Sequence, residues 1–184
     1  MSPIAPLGTA MSPQTPSVRI STPDLMAVIS AGLLMYRMRS GPEILLAHYG
    51  GPYWIKKDKG AWGIPKGQAE SGEKSLEDLL QVAKREFEEE TSFEPRGDFE
   101  YLTTIERSDG KKVHVWVFEG DADLSKFKSN TIVMEWPPRS GRKIEIPEVD
   151  KGAFFRLEEA KEKIIPYQLG ILATFEEWIK KKVV

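Results

Sequence analysis

Segment 74–91 constrains the fold more than any other part of the chain, because neither glycine nor proline interrupts it. Ser75 and Asp78 have the spacing of a capping box, in which each residue bonds the backbone of the other. The pattern therefore predicts one long helix over residues 74–91.

The glutamates of this helix divide between its two faces. At about 100° per residue, Glu89 and Glu90 lie within about 60° of Glu86, on the arc that also carries the apolar residues. Glu88 lies on the opposite arc and is expected to face solvent. Three carboxylates at a partly buried place repel one another unless a cation lies among them, and oxygen ligands suit Mg²⁺ or Mn²⁺. The alternative is an ordinary amphipathic helix whose glutamates reach water.

Composition excludes several classes of function. The chain has 184 residues, enough for one domain with a sizeable core, and a formal net charge of −2, which predicts no broad affinity for DNA, RNA or membranes. It contains no cysteine, which excludes disulfides, thiolate metal sites and cysteine nucleophiles and is compatible with a cytoplasmic location. No apolar run approaches the length of a membrane span.

The N-terminal residues differ in composition from the rest of the chain. Residues 1–24 are rich in proline, serine and threonine and lack the charged start and apolar stretch of a signal peptide. We expect a disordered tail over residues 1–24 and a single domain over residues 25–184.

Hydrophobic patterning predicts a mixed α/β architecture. Strands on both sides of one long helix, followed by C-terminal helices, favour a mixed sheet between helical layers. Residues 121–147 contain no long periodic element, and residues 65–72 are expected to form a glycine-bearing loop. The predicted strands are 26–37, 43–48, 62–64, 99–107, 112–119 and 151–155, and the further helices are 157–163 and 167–182.

Gly67, Glu73 and the segment 85–93 together resemble the signature of the Nudix hydrolases. That signature is Gly, five residues, Glu, seven residues, then Arg-Glu-apolar-any-Glu-Glu-any-Gly-apolar, and here the last part reads Arg-Glu-Phe-Glu-Glu-Glu-Thr-Ser-Phe. Stretches 50–54, 56–62, 135–141 and 147–150 resemble a subgroup of predicted nucleoside-triphosphate pyrophosphohydrolases close to the asymmetric diadenosine tetraphosphate hydrolases. The resemblance implies a Nudix-type α/β/α sandwich with a mixed β-sheet between helical layers.

The chain departs from the signature at two places. Eleven residues separate Glu73 from Arg85 instead of seven. The extra residues add about 400° and about 6 Å to a helix, so we expect the glutamate face to be kept and the placement of Glu73 to be strained. Ser92 replaces the usual glycine at the helix end, which costs roughly 1 kcal/mol if that position is left-handed.

The resemblance implies an activity and a set of metal ligands. The family uses divalent ions, here Mg²⁺ or Mn²⁺, to hydrolyse a pyrophosphate bond in a nucleoside diphosphate linked to another moiety, by attack of water on phosphorus. Glu86, Glu89, Glu90 and the backbone carbonyl of Lys66 would hold the metal, with Glu86 and Glu89 also counted as catalytic. Arg85 would orient a carboxylate.

Three further carboxylates lie outside the predicted helix. Gly67 and Glu73 are assigned to the structural loop. Glu73 would either tether that loop or lie near the metals. The family often takes one more carboxylate, as a metal ligand or base, from a loop before the last strand. Glu148 is our choice for it and Glu145 the runner-up, so the general base is Glu148, Glu145 or a glutamate of the helix.

Two loops carry the residues expected to bind a small-molecule nucleotide. Cations would grip the phosphates and aromatic rings would stack on a base. Trp62 and Trp116 are expected in the core, and His114 as a packed, hydrogen-bonded histidine, whereas His48 is suspected as a ligand contact. The proposed cations are Lys56, Lys57, Lys59, Arg139, Arg142 and Lys143, and the proposed aromatic residues are Tyr49, Tyr53, Trp54 and Trp136.

Three functional hypotheses remain open from the sequence. The first is a hydrolase of nucleoside or dinucleoside polyphosphates. The second keeps the fold but acts on a damaged nucleoside triphosphate, a nucleotide sugar or an inositol polyphosphate. The third is a non-catalytic Nudix-fold module that binds a nucleotide or a protein.

Overall fold

The computed structural model describes residues 28–182, so the prediction for residues 1–24 lies outside the described residues. Three α-helices and nine strands make up the described chain, with short 3₁₀ turns at Leu124–Lys126 and Pro166–Gln168. The helices are α1 (Leu76–Thr91), α2 (Leu157–Lys163) and α3 (Leu169–Lys182). The strands are β1 (Ile29–Met38), β2 (Pro42–Tyr49), β3 (Trp62–Gly63), β4 (Lys66–Gln68), β5 (Glu100–Glu106), β6 (Lys112–Glu119), β7 (Thr131–Glu135), β8 (Lys143–Pro147) and β9 (Val149–Arg156).

Seven of the strands form one mixed sheet. Its path is β3-β2-β1-β6-β5, with β4 added beside β1 and β9 beside β2. The pairing of β1 with β6 is parallel and the other pairings are antiparallel. β7 and β8 pair with each other in a separate two-stranded sheet.

Helices cover both faces of the main sheet, which confirms the predicted fold class. Strand β1 shows why, because its successive side chains alternate between two hydrophobic cores. Leu33 and Met35 pack in the core beneath α1, whereas Leu34 and Tyr36 pack in the core beneath α2 and α3. Trp62 and Trp116 are buried in these cores, as predicted.

The ends of α1 follow from its terminal residues. Ser75 and Asp78 form the predicted capping box, so the helix starts at Leu76. Ser92 ends it in the left-handed conformation, with φ 61°. The Ser92 hydroxyl donates a hydrogen bond of 2.8 Å to the carbonyl of Lys128, which offsets part of the cost of this conformation in a residue other than glycine.

The glycine-bearing loop departs from the prediction, because residues 66–68 form strand β4. The strand pairs with β1 at Ser30–Gly32. Three residues are too short for a period to be recognised in the sequence. The pairing fixes the Lys66–Gly67 backbone beside α1.

In the described part of the chain, no helix is long and apolar enough to cross a membrane.

Candidate active site

The four glutamates in the C-terminal part of α1 differ in exposure. Glu90 is only 4 % exposed, Glu86 is half-buried, and Glu88 is exposed as predicted. Glu89 is also exposed, although its helical phase places it on the same arc as Glu86 and Glu90. The helix therefore presents two carboxylates to the protein and a third at the margin with solvent.

Glu86 lies directly against the backbone of Gly67. A β-carbon at position 67 would lie 1.9 Å from Oε2 of Glu86 and 2.0 Å from its carboxyl carbon, which is far inside van der Waals contact. Only glycine leaves room for the carboxylate at this place. The glycine of the predicted motif is thus explained by the close approach of α1 to β4.

Glu90 is buried beside the same backbone segment. The N–H of Lys66 donates a hydrogen bond of 3.1 Å to Oε2 of Glu90. Burial raises the pKa of Glu90 to about 8, with further increases from the charges of Glu148 and Glu86, against the lowering effects of the Lys66 charge and this hydrogen bond. The charge of Lys66 thus offsets only part of the effect of burial on the pKa of Glu90.

Glu86 shows the same tendency more weakly. Burial raises its pKa, the hydrogen bond from Arg85 lowers it, and the nearby charges of Glu89 and Glu148 raise it. Glu86 therefore interacts electrostatically with Glu89, Glu90 and Glu148.

Arg85 joins Glu86 to Glu73 despite the longer spacing. Its Nη1 donates to Oε1 of Glu73 at 3.1 Å and its Nη2 to Oε1 of Glu86 at 3.3 Å. The second oxygen of Glu73 accepts a hydrogen bond of 2.7 Å from the backbone N–H of Glu70. Glu73 was expected either to tether the loop or to lie near the metals. Its hydrogen bonds favour the first role.

Glu148 approaches the cluster from the junction of β8 and β9. Its charge raises the pKa of both Glu86 and Glu90. The side-chain amide of Asn130 donates a hydrogen bond of 3.1 Å to Oε2 of Glu148 and holds the carboxylate in place. Glu145 instead accepts from the hydroxyl of Thr131 on the β7–β8 hairpin and is exposed. The geometry favours Glu148 over Glu145.

The carboxylates fit a divalent cation by chemistry. Glu86, Glu89, Glu90 and Glu148 offer oxygen ligands only, as Mg²⁺ and Mn²⁺ prefer, and a cation would relieve their mutual repulsion. Among residues 28–182, no group of three or more His, Cys, Asp or Glu side chains is arranged to hold a metal ion.

A cavity of about 280 Å³ extends from Glu148 towards the loop that follows β2. Tyr49, Tyr53 and Trp54, three of the aromatic residues expected to stack on a base, line it together with apolar residues of the hairpin. Trp136, Arg139 and Arg142 are not among its lining residues. The lining residues are Tyr49, Gly50, Gly51, Tyr53, Trp54, Ile132, Met134, Ile146 and Glu148.

The predicted basic residues are not gathered at one point. The ammonium of Lys57 lies 3.2 Å from the centroid of the Tyr53 ring, beside the cavity. Lys56 is exposed in the same loop, whereas Lys59 forms an ion pair of 2.9 Å with Glu162. Arg139 and Arg142 are exposed in the turn between β7 and β8.

The two histidines differ in how well they agree with the sequence-based expectation. His114 is hydrogen-bonded to the hydroxyls of Tyr101 and Thr104, as expected for a packed histidine. The suspicion that His48 contacts a ligand is wrong, because its side chain is 1 % exposed and both ring nitrogens have protein partners. Sequence reasoning missed Asn130, because nothing local marks its contact with Glu148, eighteen positions away.

The family assignment is decided by a match over most of the chain. The model of the NUDIX domain matches residues 26–175. The chain belongs to the NUDIX family. By family it is a Nudix pyrophosphohydrolase, and the recognised motif and the fold agree with that assignment. No curated protein sequence matches that of this Nudix chain.

Solved structures share the fold at low sequence identity. A C. elegans Ap4A hydrolase binary complex has a TM-score of 0.58 and 22 % identity, over 84 % of this chain and 99 % of that one. The NUDIX domain of Shewanella oneidensis NrtR complexed with ADP ribose has a TM-score of 0.55 and 15 % identity, over 83 % and 88 %. A MutT protein from Methanosarcina mazei Go1 has a TM-score of 0.54 and 21 % identity, over 84 % and 96 %. At these identities, the TM-scores show a common fold and no more.

Proposed function

We propose that this Nudix protein uses Mg²⁺ or Mn²⁺ to hydrolyse a pyrophosphate bond in a nucleoside or dinucleoside polyphosphate. One observation carries the proposal: Glu148 borders the aromatic cavity and also acts on the carboxylates of Glu86 and Glu90. A nucleoside seated in the cavity would place its phosphates at the carboxylates. The Ap4A hydrolase and the NrtR domain complexed with ADP ribose are consistent with substrates of this chemical class.

The carboxylates are proposed to hold the metal and the reacting water. Glu86, Glu89, Glu90 and the carbonyl of Lys66 would bind the cation, which neutralises phosphate charge and lowers the pKa of a bound water. Arg85 would orient Glu86 through their hydrogen bond. The position of Gly67 lets Glu86 approach the Lys66 backbone, so these ligands come from two elements held at a fixed distance.

Glu148 is proposed to take the proton from the attacking water. It faces the carboxylate cluster, and Asn130 fixes one of its oxygens. A general base must lie within hydrogen-bond reach of the water that it activates, and Glu148 lies between the proposed metal ligands and the cavity. Glu145 is less suited, because its carboxylate bonds to the hairpin.

The cavity and its loop are proposed to bind the nucleotide. A base would stack with the rings of Tyr53 and Trp54, and Lys57 and Lys56 would approach the phosphates. Arg139 and Arg142 are proposed to reach the distal end of a long polyphosphate from the hairpin turn. Lys59 is the weakest of the proposed contacts, because Glu162 already pairs with it.

Two further expectations stay predictions. The net charge of −2 predicts that no DNA or RNA polymer is bound. The absence of cysteine and the class of substrate suit the cytoplasm, where we expect the protein.

A panel of nucleotides with and without metal tests the proposal. Turnover of at least one nucleoside or dinucleoside polyphosphate is expected with Mg²⁺ or Mn²⁺, with loss on addition of a chelator. Glu90→Gln and Glu89→Gln should lower kcat by about 100-fold or more, because each removes a charged ligand. Glu88→Gln is the matched control on the exposed face of the same helix, and it should keep wild-type turnover. Tight nucleotide binding without turnover across the panel would instead identify a binding module.

A further inference from the structure

His48 occupies a buried position between two hydrogen-bond acceptors. It lies on β2 behind the loop of residues 50–60, and its ring packs edge-on against Trp62 at 5.0 Å between centroids. Its Nδ1 lies 2.8 Å from Oδ1 of Asp150, and its Nε2 lies 2.7 Å from the backbone carbonyl of Lys57. The ring thus connects strand β9 with the middle of the loop.

The two partners fix the number of protons that the ring must carry. A backbone carbonyl and a carboxylate accept hydrogen bonds and have no proton to donate. A neutral imidazole has one N–H and can serve only one of them. Both bonds can form together when each ring nitrogen carries a proton, and the partly exposed carboxylate of Asp150 would then pair with the ring. Lys151, the β9 partner of His48 in the sheet, directs its ammonium over the Trp62 ring, 5.3 Å from its centroid.

The bond to Lys57 ties the backbone of residues 52–57 to the sheet, beside the packing of the Trp54 ring against Tyr49 of β2. The other backbone hydrogen bonds of residues 52–57 stay within the loop: Trp54 and Ile55 donate to Gly51, and Lys57 donates to Trp54. The Lys57 ammonium lies over the rings of Tyr53 and Trp54, at 3.2 and 5.1 Å from their centroids. Both rings line the cavity beside Glu148. His48 is therefore connected to the cavity wall through a single residue, Lys57.

We propose that His48 is a positioning residue: ion-paired with Asp150, it holds the Lys57 carbonyl and fixes the aromatic wall of the cavity in the form that receives a nucleoside. This inference rests on the proposed function of the cavity. It assigns His48 no contact with substrate and no part in the chemical step. Loss of the bond to Lys57 should therefore weaken nucleotide binding more than it slows turnover.

Two amide substitutions separate the two bonds of the ring. Glutamine places its amide near the position of Nε2, and asparagine near the position of Nδ1. His48→Asn should lose the bond to Lys57. With the panel nucleotide that has the highest kcat/KM, its KM should rise by about tenfold, while kcat stays within about twofold of wild type. His48→Gln should restore most of the wild-type KM. His114→Asn is the matched control, on a strand that does not line the cavity.

Asp150→Asn tests the role of the charge. An asparagine amide can donate to Nδ1, so a neutral ring can then make both bonds, and the KM should stay near that of wild type. In the His114→Asn protein only His48 remains, because the chain has two histidines. Nitrogen NMR of that protein should show both ring nitrogens protonated. A singly protonated ring would overturn the proposal.

Amide hydrogen exchange tests the loop without any nucleotide. The amides of Trp54, Ile55 and Lys57 should exchange at least about tenfold faster in His48→Asn than in wild type, while the amides of the sheet stay unchanged and show that the protein is folded. Equal exchange in the folded variant would overturn the proposal. If no nucleotide is hydrolysed by wild type, the proposed function fails, whereas exchange and NMR still decide whether His48 holds the loop.

Discussion

The carboxylate of Glu86 lies so close to the α-carbon of Gly67 that a single methyl group between them would overlap it, at 1.9 Å from Oε2. The glutamate helix α1 and the three-residue strand β4 are therefore in contact at the one position where the strand has no side chain. The contact gives a direct way to displace a proposed metal ligand without removing it.

Gly67→Ala should push Glu86 away from the Lys66 backbone. We expect kcat/KM to fall by about 100-fold and the Mg²⁺ concentration needed for half-maximal activity to rise, because the carboxylate is retained but misplaced. Gly72→Ala is the matched control in the loop that follows β4, since a β-carbon there meets no atom within 4 Å. Equal activity of both variants would contradict the assigned role of Gly67.

Glu90→Gln should make the metal-free protein more stable at alkaline pH. Burial raises the pKa of Glu90 to about 8 from 4.5, so the folded state holds a proton that the unfolded state has released. Wild type therefore loses stability as pH rises from about 4.5 towards 8, whereas the uncharged amide does not. In denaturant unfolding at pH 9, the free energy of unfolding of the variant should exceed that of wild type by roughly 2 kcal/mol. This is less than the full pKa shift would give at about 1.4 kcal/mol per pKa unit.

The same pair of proteins reports on the metal. Saturating Mg²⁺ should raise the free energy of unfolding of wild type, because the cation binds the folded state and favours the ionised carboxylate. The same addition of Mg²⁺ should raise the free energy of unfolding of Glu90→Gln clearly less. An equal gain in both proteins would remove Glu90 from the set of ligands.

Arg85 should be replaceable by lysine only in part. Its two bonds, to Glu73 and Glu86, use the fork of the guanidinium, which a lysine ammonium does not reproduce. We expect Arg85→Lys to lower kcat/KM by about tenfold and Arg85→Ala by more, with the larger part of the loss in kcat. Arg96→Ala removes an exposed pair with Glu94 and should leave both kinetic constants unchanged.

Ser92 should tolerate glycine better than alanine. Glycine removes the cost of the left-handed conformation, about 1 kcal/mol, but also removes the hydrogen bond to Lys128, so the free energy of unfolding should change by less than about 0.5 kcal/mol. Alanine loses the hydrogen bond and keeps the strain, so we expect a destabilisation of roughly 1 kcal/mol. Thermal or denaturant unfolding of the two variants measures the difference.

Helical periodicity was sufficient to predict one half of the candidate site. The burial of Glu90, the half-burial of Glu86 and the exposure of Glu88 follow from a repeat of 3.6 residues within one uninterrupted helix. Glu89 has a suitable phase but is exposed, because the exposure of a side chain also depends on what packs above it. No pattern within the helix contains that information.

The other half of the site depends on contacts between distant residues. Asn130 holds Glu148, and His48 connects Asp150 to Lys57, across separations that leave no local signal in a single sequence. The composition of a loop likewise does not show which of its cations are already paired, as Lys59 is with Glu162. Strand pairing brings these residues together, and the register of that pairing is a property of the folded sheet.

The β7–β8 hairpin is joined to the main sheet by chain connectivity and packing, since within residues 28–182 its strands pair only with each other. It nevertheless supplies Ile132, Met134 and Ile146 to the cavity. Its length and side chains can therefore change in evolution, or be exchanged between homologues by grafting, while the glutamate helix stays in place. Under the proposed function, substrate preference and hydrolytic chemistry are in this way open to separate selection within one small domain.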